Sequence, residues 1–263
     1  MATLKGDTIS VAPNKGTAQG NVTSPMFWNC IVDPVGQIMD KHGLGGNLFA
    51  DDILIIYKHT DVNIIQRKIQ AALEDIAIWA GEQRLNINIK KTCTIRFSTR
   101  EGILTPYTIH WKGAKVVQKS QISYLGVLFD ENLIWEPHIS GKVRKAQQKL
   151  IKINKTLGKT WGPSPKLTHW IYEAVIRPMV TYAAHIWSHN LNIAKIDKMS
   201  RSFQRWGLTK LGPIREKTPT SGLEIITHTP PLQLILQDLS VRTVLKFKYI
   251  QFQPPPAPDG HLQ

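Results

Sequence analysis

Apolar side chains recur at changing intervals along this chain, and each interval implies an element. Ile9 and Val11 fall on one face of a short extended stretch, residues 7–11. Turn formers run from residue 13 to 20. Ser24 and Pro25 form a helix-start signal, because proline at the first helical position gives up an N–H that has no partner there anyway. Residues 26–41 read as a helix, strained or kinked near Pro34, and Gly43, Gly45 and Gly46 end it. Residues 47–50 and 53–57 are short apolar runs flanking Asp51 and Asp52, the pattern of a tight hairpin. Over residues 61–83 the apolar positions Ile65, Ile69, Leu73, Ile76 and Trp79 lie near helical spacing, so an amphipathic helix is expected.

Ile87 and Ile89, then Cys93, Ile95 and Phe97, alternate like strands around a Lys90-Lys91 turn. Residues 122–129 are a further strand candidate. From about residue 137 the strand patterns fade and basic helical segments take over. Pro163-Ser164-Pro165 separates two helices, and helical spacing returns over 196–208 and 232–250. Residues 254–258 are proline-rich and read as an extended linker. The expected fold class is α+β to about residue 130, an antiparallel sheet with packed helices, followed by a helical region.

Composition narrows the function classes. Hydrophobic residues make up 42% of the 263 and charged ones 20%, enough for a packed core. Lys and Arg number 33 against 19 Asp and Glu, a formal net charge of +14. That excess favours a polyanionic partner, either nucleic acid or an anionic membrane surface. Cys30 and Cys93 are the only cysteines and make neither a disulfide framework nor a zinc knuckle. Residues 1–10 hold no apolar run of signal-peptide length. The longest apolar stretch, 170–187, is interrupted by Glu173, Arg177 and Pro178 and reads as a buried helix pair rather than a membrane span. A soluble, intracellular protein is therefore expected. Asn21-Val22-Thr23 and Asn154-Lys155-Thr156 match the glycosylation pattern, which means little without a secretory signal. His185 and His189 have helical spacing, but no Glu follows His185, so they make no zinc-protease box. The eight Trp residues sit mostly at helical apolar positions and are expected in the core.

The sharpest local feature is Phe49-Ala50-Asp51-Asp52 between two apolar strand segments. Neighbouring carboxylates repel unless cations neutralise them. At a hairpin tip such a pair can hold divalent metal, and phosphoryl transfer commonly uses two ions roughly 4 Å apart. Asp carboxylates and water suit Mg²⁺. The plainer alternative is that Asp-Asp is a good turn dipeptide. Phe49 is expected to pack under the hairpin. A second feature is residues 141–160, which hold Lys142, Arg144, Lys145, Lys149, Lys152, Lys155 and Lys159 and no acidic residue. Lys142, Lys145, Lys149, Lys152 and Lys159 share one helix face, beside an apolar stripe of Val143, Ala146, Leu150, Ile153 and Leu157. Such a helix can lay its basic side along a phosphate backbone. A membrane-surface helix would carry similar charges, but this stripe lacks aromatics.

The order of the remaining motifs is informative. Lys15-Gly16-Thr17-Ala18-Gln19-Gly20 precedes the Asp pair. Leu85-Asn86-Ile87-Asn88-Ile89-Lys90-Lys91-Thr92 follows it, then Tyr124-Leu125-Gly126-Val127 and Trp135-Glu136-Pro137-His138-Ile139. This ordered set resembles the reverse transcriptases of non-LTR retrotransposons over nearly the whole chain. Gly16 to Gly20 resembles their Gly-x-Pro-Gln-Gly loop, and Phe49 to Asp52 their metal box. Lys91 sits where a lysine motif follows, and Tyr124, Leu125 and Gly126 resemble the hairpin that grips the primer. Arg177-Pro178 lies in a segment similar to the helical thumb. Pro230-Pro231 lies in one similar to the connection towards a ribonuclease H domain.

The resemblance implies a partial polymerase palm over 1–130, a basic helical thumb over 131–215 and a connecting tail over 216–263. It implies RNA-directed DNA synthesis with Mg²⁺, an RNA template, a DNA primer and deoxynucleoside triphosphates, in the nucleus or the cytoplasm. Asp51 and Asp52 would bind metal. Gly16, Gln19 and Gly20 would approach template and nucleotide, the plain alternative being a flexible loop. Lys91 would sit near the triphosphate, or be a solvated turn lysine. Two departures stand out. Ala18 occupies the usual proline position. The family also draws a further metal-binding Asp from a strand well before the glutamine loop. Here Asp7 is the sole acidic residue before Gly16, without that pattern around it. The expectation is an N-terminally truncated polymerase with an incomplete two-metal site and little activity alone. The alternatives are an inactive nucleic-acid-binding remnant and a basic interaction protein.

Overall fold

The computed structural model describes residues 2–4, 7–9, 20–97, 106–156, 164–188, 193–210 and 217–251. It divides into two compact units, Met1–Ser120 and Gln121–Gln263. Mixed helix and strand agree with the expected α+β class. The candidate linker over 254–258 lies outside the described residues.

In the first unit, β1 (Ala2–Leu4) pairs antiparallel with β2 (Asp7–Ile9). Helix α1 (Ser24–Lys41) has Pro25 in its first turn and runs unbroken through Pro34. The cost at Pro34 is one missing backbone donor in mid-helix. A hairpin of β3 (Gly45–Phe49) and β4 (Asp52–Ile56) follows. Helix α2 (Val62–Glu82) begins where the Asp61 carboxylate accepts the Asn63 N–H at 2.8 Å, satisfying a donor the helix itself cannot. Ile76, Trp79 and Ala80 of α2 are buried with Val32 and Val35 of α1, while Ala72 is buried with Met39 and Leu44. Leu48, Ile53 and Ile55 of the hairpin pack on the same core. Glycine is required at 46, because a Cβ there would collide with the Leu54 carbonyl oxygen and stand 2.7 Å from Met39 Sδ. Its absence lets α1 lie directly on the hairpin.

The strands expected around Lys90-Lys91 form only in part. β5 (Cys93–Thr94) pairs parallel with β8 (Val117–Gln118), whereas Ile87 and Ile89 reach the core from irregular chain. Between them, β6 (His110–Trp111) and β7 (Ala114–Lys115) make a hairpin. It is pinned to α2 by Gln70, whose side chain accepts from His110 N at 3.0 Å and donates to His110 O at 3.2 Å.

In the second unit, residues 122–129 form no single strand. They make a hairpin of β9 (Gln121–Tyr124) and β10 (Val127–Asp130), closed by Leu125 at φ 46° and Gly126 at φ 78°. Two consecutive left-handed residues match the strands' right-handed twist. Buried Asp130 accepts the Ile134 and Trp135 N–H groups, both at 2.9 Å, and so shapes the turn into α3 (Glu136–Thr156). Helix α4 (Pro165–Ile171) starts at Ser164, whose Oγ accepts from Leu167 N. It runs through a π turn, Tyr172–Ile176, into α5 (Arg177–Thr181). Arg177 N–H reaches the Tyr172 carbonyl across the widened turn, just before Pro178, which has no N–H to offer. Helices α6 (Ala184–Trp187), α7 (Ile193–Thr209), α8 (Thr220–Ile226) and α9 (Leu232–Gln251) complete the unit. No described helix is long and apolar enough to cross a membrane.

The second core gathers Trp135, Leu150, Tyr172, Ile176, Trp187 and Phe203. Tyr172 is fully buried against α7 at Gly207, where a Cβ would overlap its ring. Gln204 is equally buried and donates to Glu224 Oε1 at 2.8 Å and Pro230 O at 2.9 Å, tying α7 to α8 and to the Pro230-Pro231 segment. Trp79, Trp111, Trp135 and Trp187 are buried as expected, but Trp170 is 60% exposed. Buried His138 accepts the Leu128 N–H at 3.1 Å through Nδ1. Burial, and secondarily the Lys142 ammonium, lower its pKa from 6.5 to about 4.

Two outcomes are expected. Protonated His138 is disfavoured in the fold and free in the unfolded chain. Its contribution is therefore complete above about pH 6.5 and is lost as pH falls towards about 4. Urea midpoints measured from pH 7.5 to pH 5 should decline, and His138→Gln should remove that share of the slope. Gly207→Ala should cost about 3 kcal/mol by overpacking against Tyr172, and an unchanged denaturation midpoint would contradict the packing described.

Candidate catalytic hairpin and nucleic-acid interface

The β3–β4 hairpin projects the acidic pair. Phe49 lies opposite Asp52, leaving Ala50 and Asp51 as the two-residue turn. Ala50 adopts φ 50°, a left-handed conformation that a side chain makes costly. Trp28 of α1 offsets that cost by donating its Nε1–H to the Ala50 carbonyl at 2.6 Å. This long-range bond fixes the tip relative to the helix that follows the glycine-glutamine loop.

Asp51 and Asp52 are exposed, and neither pairs with a described residue. They are hard oxygen donors with free lone pairs, the type a divalent cation prefers. Among the described residues no group of three or more His, Cys, Asp or Glu side chains could hold a metal. The donor type fits such an ion, and the donor number falls short. Phe49 does not pack under the hairpin: it is 56% exposed, because alternation puts it on the outer face opposite Leu48, which packs inward.

The sequence-derived positions around the pair are only partly brought together. Gly20 adopts φ 84° and opens a turn in which Asn21 Oδ1 accepts from Thr23 N at 3.3 Å, leading into α1. Gly16 and Gln19 lie outside the described residues. Lys91 is exposed in a turn organised by Asn88, whose carbonyl accepts from Lys91 N and from Thr92 Oγ1, each at 3.0 Å. No hydrogen bond or ion pair joins Lys91 to the carboxylates among the described residues, although flanking Ile87 and Ile89 pack on the hairpin's core.

The second unit joins the hairpin motif to the basic helix. Tyr182, just past α5, donates its hydroxyl to the Leu125 carbonyl at 2.8 Å. A Cβ on Gly126 would meet its ring at an ordinary 3.5 Å, so it is the φ of 78° rather than space that favours glycine there. Lys142 Nζ stands 4.5 Å from the centre of the same ring. Burial, and then Lys145, lower the Lys142 pKa. Lys142 and Lys145 border a cleft of about 310 Å³ lined by Val175, Pro178, Met179 and Tyr182. Lys145, Lys149 and Lys152 are exposed, and Lys159 lies outside the described residues. Tyr124 is half-buried in β9. Sequence reasoning missed Trp28 and Tyr182 as organisers, since both act through carbonyls remote in the chain. A left-handed turn without a matching glycine was the only local sign.

Residues 3–129 match the family model for reverse transcriptase (RNA-dependent DNA polymerase). The chain is 21% identical over 239 residues to a 115 kDa protein in type-1 retrotransposable element R1DM of Drosophila melanogaster, covering 91% of this chain and 23% of that protein. It is 24% identical over 180 residues to a retrovirus-related Pol polyprotein from type-1 retrotransposable element R1 2 of Nasonia vitripennis, covering 65% and 43%. It is 23% identical over 177 residues to an RNA-directed DNA polymerase from mobile element jockey of Drosophila funebris, covering 65% and 19%. The chain thus spans less than half the length of each of these relatives. No solved structure matches it significantly.

Trp28→Phe keeps the ring's bulk and removes the bond to the hairpin tip. It should cost about 1–2 kcal/mol in denaturant unfolding. It should also raise amide exchange at Asp51 and Asp52, and unchanged exchange there would mean the tip is held by other contacts.

Proposed function

We propose that this chain, which is related to the reverse transcriptases of non-LTR retrotransposons, serves as the palm-and-thumb portion of an RNA-directed DNA polymerase. The observation that carries the reading is the exposed Asp51-Asp52 pair at a hairpin tip tied to α1, inside the segment that matches reverse transcriptase. Asp51 and Asp52 would hold Mg²⁺. Two such ions, when bound by a complete site, lower the charge on the attacking and leaving oxygens of nucleotidyl transfer. The two carboxylates that the described residues bring together are too few for that, so no chemical step is assigned here. On this reading Gly16, Gln19 and Gly20 face template and incoming nucleotide, and Lys91 supplies a cation to the triphosphate.

The second unit would hold the primer–template. The Tyr124–Gly126 hairpin lies at the primer, and Lys142, Lys145, Lys149, Lys152 and Lys159 lie along phosphates. An RNA template, a DNA primer and deoxynucleoside triphosphates are the partners, and the nucleus is the proposed site of action. The donor shortage favours a variant of the same reading, in which the chain grips nucleic acid without synthesis of its own.

Primer extension on an RNA template with Mg²⁺ and deoxynucleotides, comparing the chain with Asp51→Asn, tests both halves. The expected result is binding of primer–template without extension by either protein. Extension that disappears in the variant would establish a complete metal site and overturn the donor count. Log affinity should fall against log salt with a slope of about −3.6 for the four described lysines. A flat titration would remove the nucleic-acid reading altogether.

A further inference from the structure

The helix that runs from α4 through the π turn into α5 has two opposite faces. Thr168, Tyr172, Ile176 and Val180 recur every fourth residue and are buried. Leu167 at 47%, Trp170 at 60%, Val175 at 37% and Tyr182 at 47% are exposed on the other side, with exposed Pro178 between them. A tryptophan this open is an expensive surface residue, and among the described residues none hydrogen-bonds to its indole or stacks on it.

Basic α3 borders this row. Lys142 and Lys145, early in α3, line one cleft with Val175, Pro178 and Tyr182, which come late in the neighbouring helix. Because α3 also packs on the π turn, the two helices run antiparallel. The later lysines, Lys149 and Lys152, therefore advance towards the level of Trp170. At the Lys142–Lys145 end ammonium groups border the apolar row directly, and the exposed lysines of α3 continue from there in the direction of Trp170. Trp170 and Tyr182 are twelve positions apart, roughly 18 Å along a helix.

We propose that this face binds an unpaired nucleic-acid strand, with a base stacked on Trp170, a second base seated over Val175 and Pro178, and the intervening phosphates on Lys145, Lys149 and Lys152. Base–aromatic stacking beside a positive groove is the chemistry that separates single strands from duplex, whose bases are already stacked on each other. A duplex would engage the lysines alone. The proposal rests on the nucleic-acid reading of α3 and adds to it a strand state and a stacking residue. An acidic protein segment would use the lysines but gain little from an isolated Trp, and an anionic vesicle would take both without needing bases.

The test uses the full chain, a fluorescent 16-nucleotide oligo-dT, an oligo-rU of equal length and a 16-base-pair duplex. Trp170→Ala should weaken binding of both single strands about tenfold or more and change duplex binding less than twofold. Trp170→Phe should restore most of the loss, and circular dichroism should be unchanged because the side chain is exposed. An equal loss on duplex and single strands, or no loss on either, would overturn the proposal. So would Trp170-dependent binding to phosphatidylserine vesicles or to polyglutamate of the same or greater strength. Wild-type binding to duplex that persists while Trp170 proves irrelevant sinks this proposal alone. Absence of all nucleic-acid binding sinks the proposed function with it.

Discussion

An aromatic side chain donating to the carbonyl of a left-handed turn residue is the constraint on which both candidate regions rest. Trp28 gives its Nε1–H to Ala50, at φ 50°. Tyr182 gives its hydroxyl to Leu125, at φ 46°. In each case the acceptor is the first residue of a two-residue hairpin turn, and it is not glycine. A left-handed non-glycine residue costs roughly 1–2 kcal/mol, comparable with what one hydrogen bond to a partly desolvated carbonyl returns. Neither hairpin tip is therefore set by its own sequence. Each is held by a side chain from another element, so the acidic pair depends on α1 and the β9–β10 hairpin on the residue that follows α5.

That dependence explains what the chain revealed and what it concealed. Local signals were legible: the helical spacing of Ile65, Ile69, Leu73, Ile76 and Trp79 marks α2, Pro25 opens α1, and short apolar runs around Asp51 and Asp52 fold into a hairpin. The site's acidic pair was visible because two adjacent carboxylates are unusual between strands. The hairpin at 121–130 was less visible as a fold element, since Leu125-Gly126 lacks the Asn-Gly or Asp-Gly signature of such turns. Phe49 was misread because the aromatic of an alternating strand was assigned inward, while the neighbour Leu48 holds that face. The irregular path of Ile87 and Ile89 follows from the lack of a partner strand beside them among the described residues. Trp28, Tyr182 and the open Trp170 depend on tertiary placement that spacing cannot encode.

The electrostatic arrangement of the second unit fits a surface waiting for an anion. Residues 141–156 of α3 include no Asp or Glu, and Lys142 has its pKa lowered by burial and then by Lys145. Such a row repels itself in the free protein. An anion that neutralised the row would relieve that repulsion, and by linkage its binding would raise the stability of this unit.

The π turn at Tyr172–Ile176 carries one further consequence. A π turn is an α-helix that has accommodated an added residue, and one residue of α-helix corresponds to about 100° of rotation. Everything after Ile176 is therefore phased differently from everything before it. Tyr172 can point into α7 while Tyr182, ten positions later, meets the hairpin. Between these two tyrosines the helix works as a phase shifter. The length of this segment, counted in whole residues, is then under tighter constraint than the identity of most side chains within it.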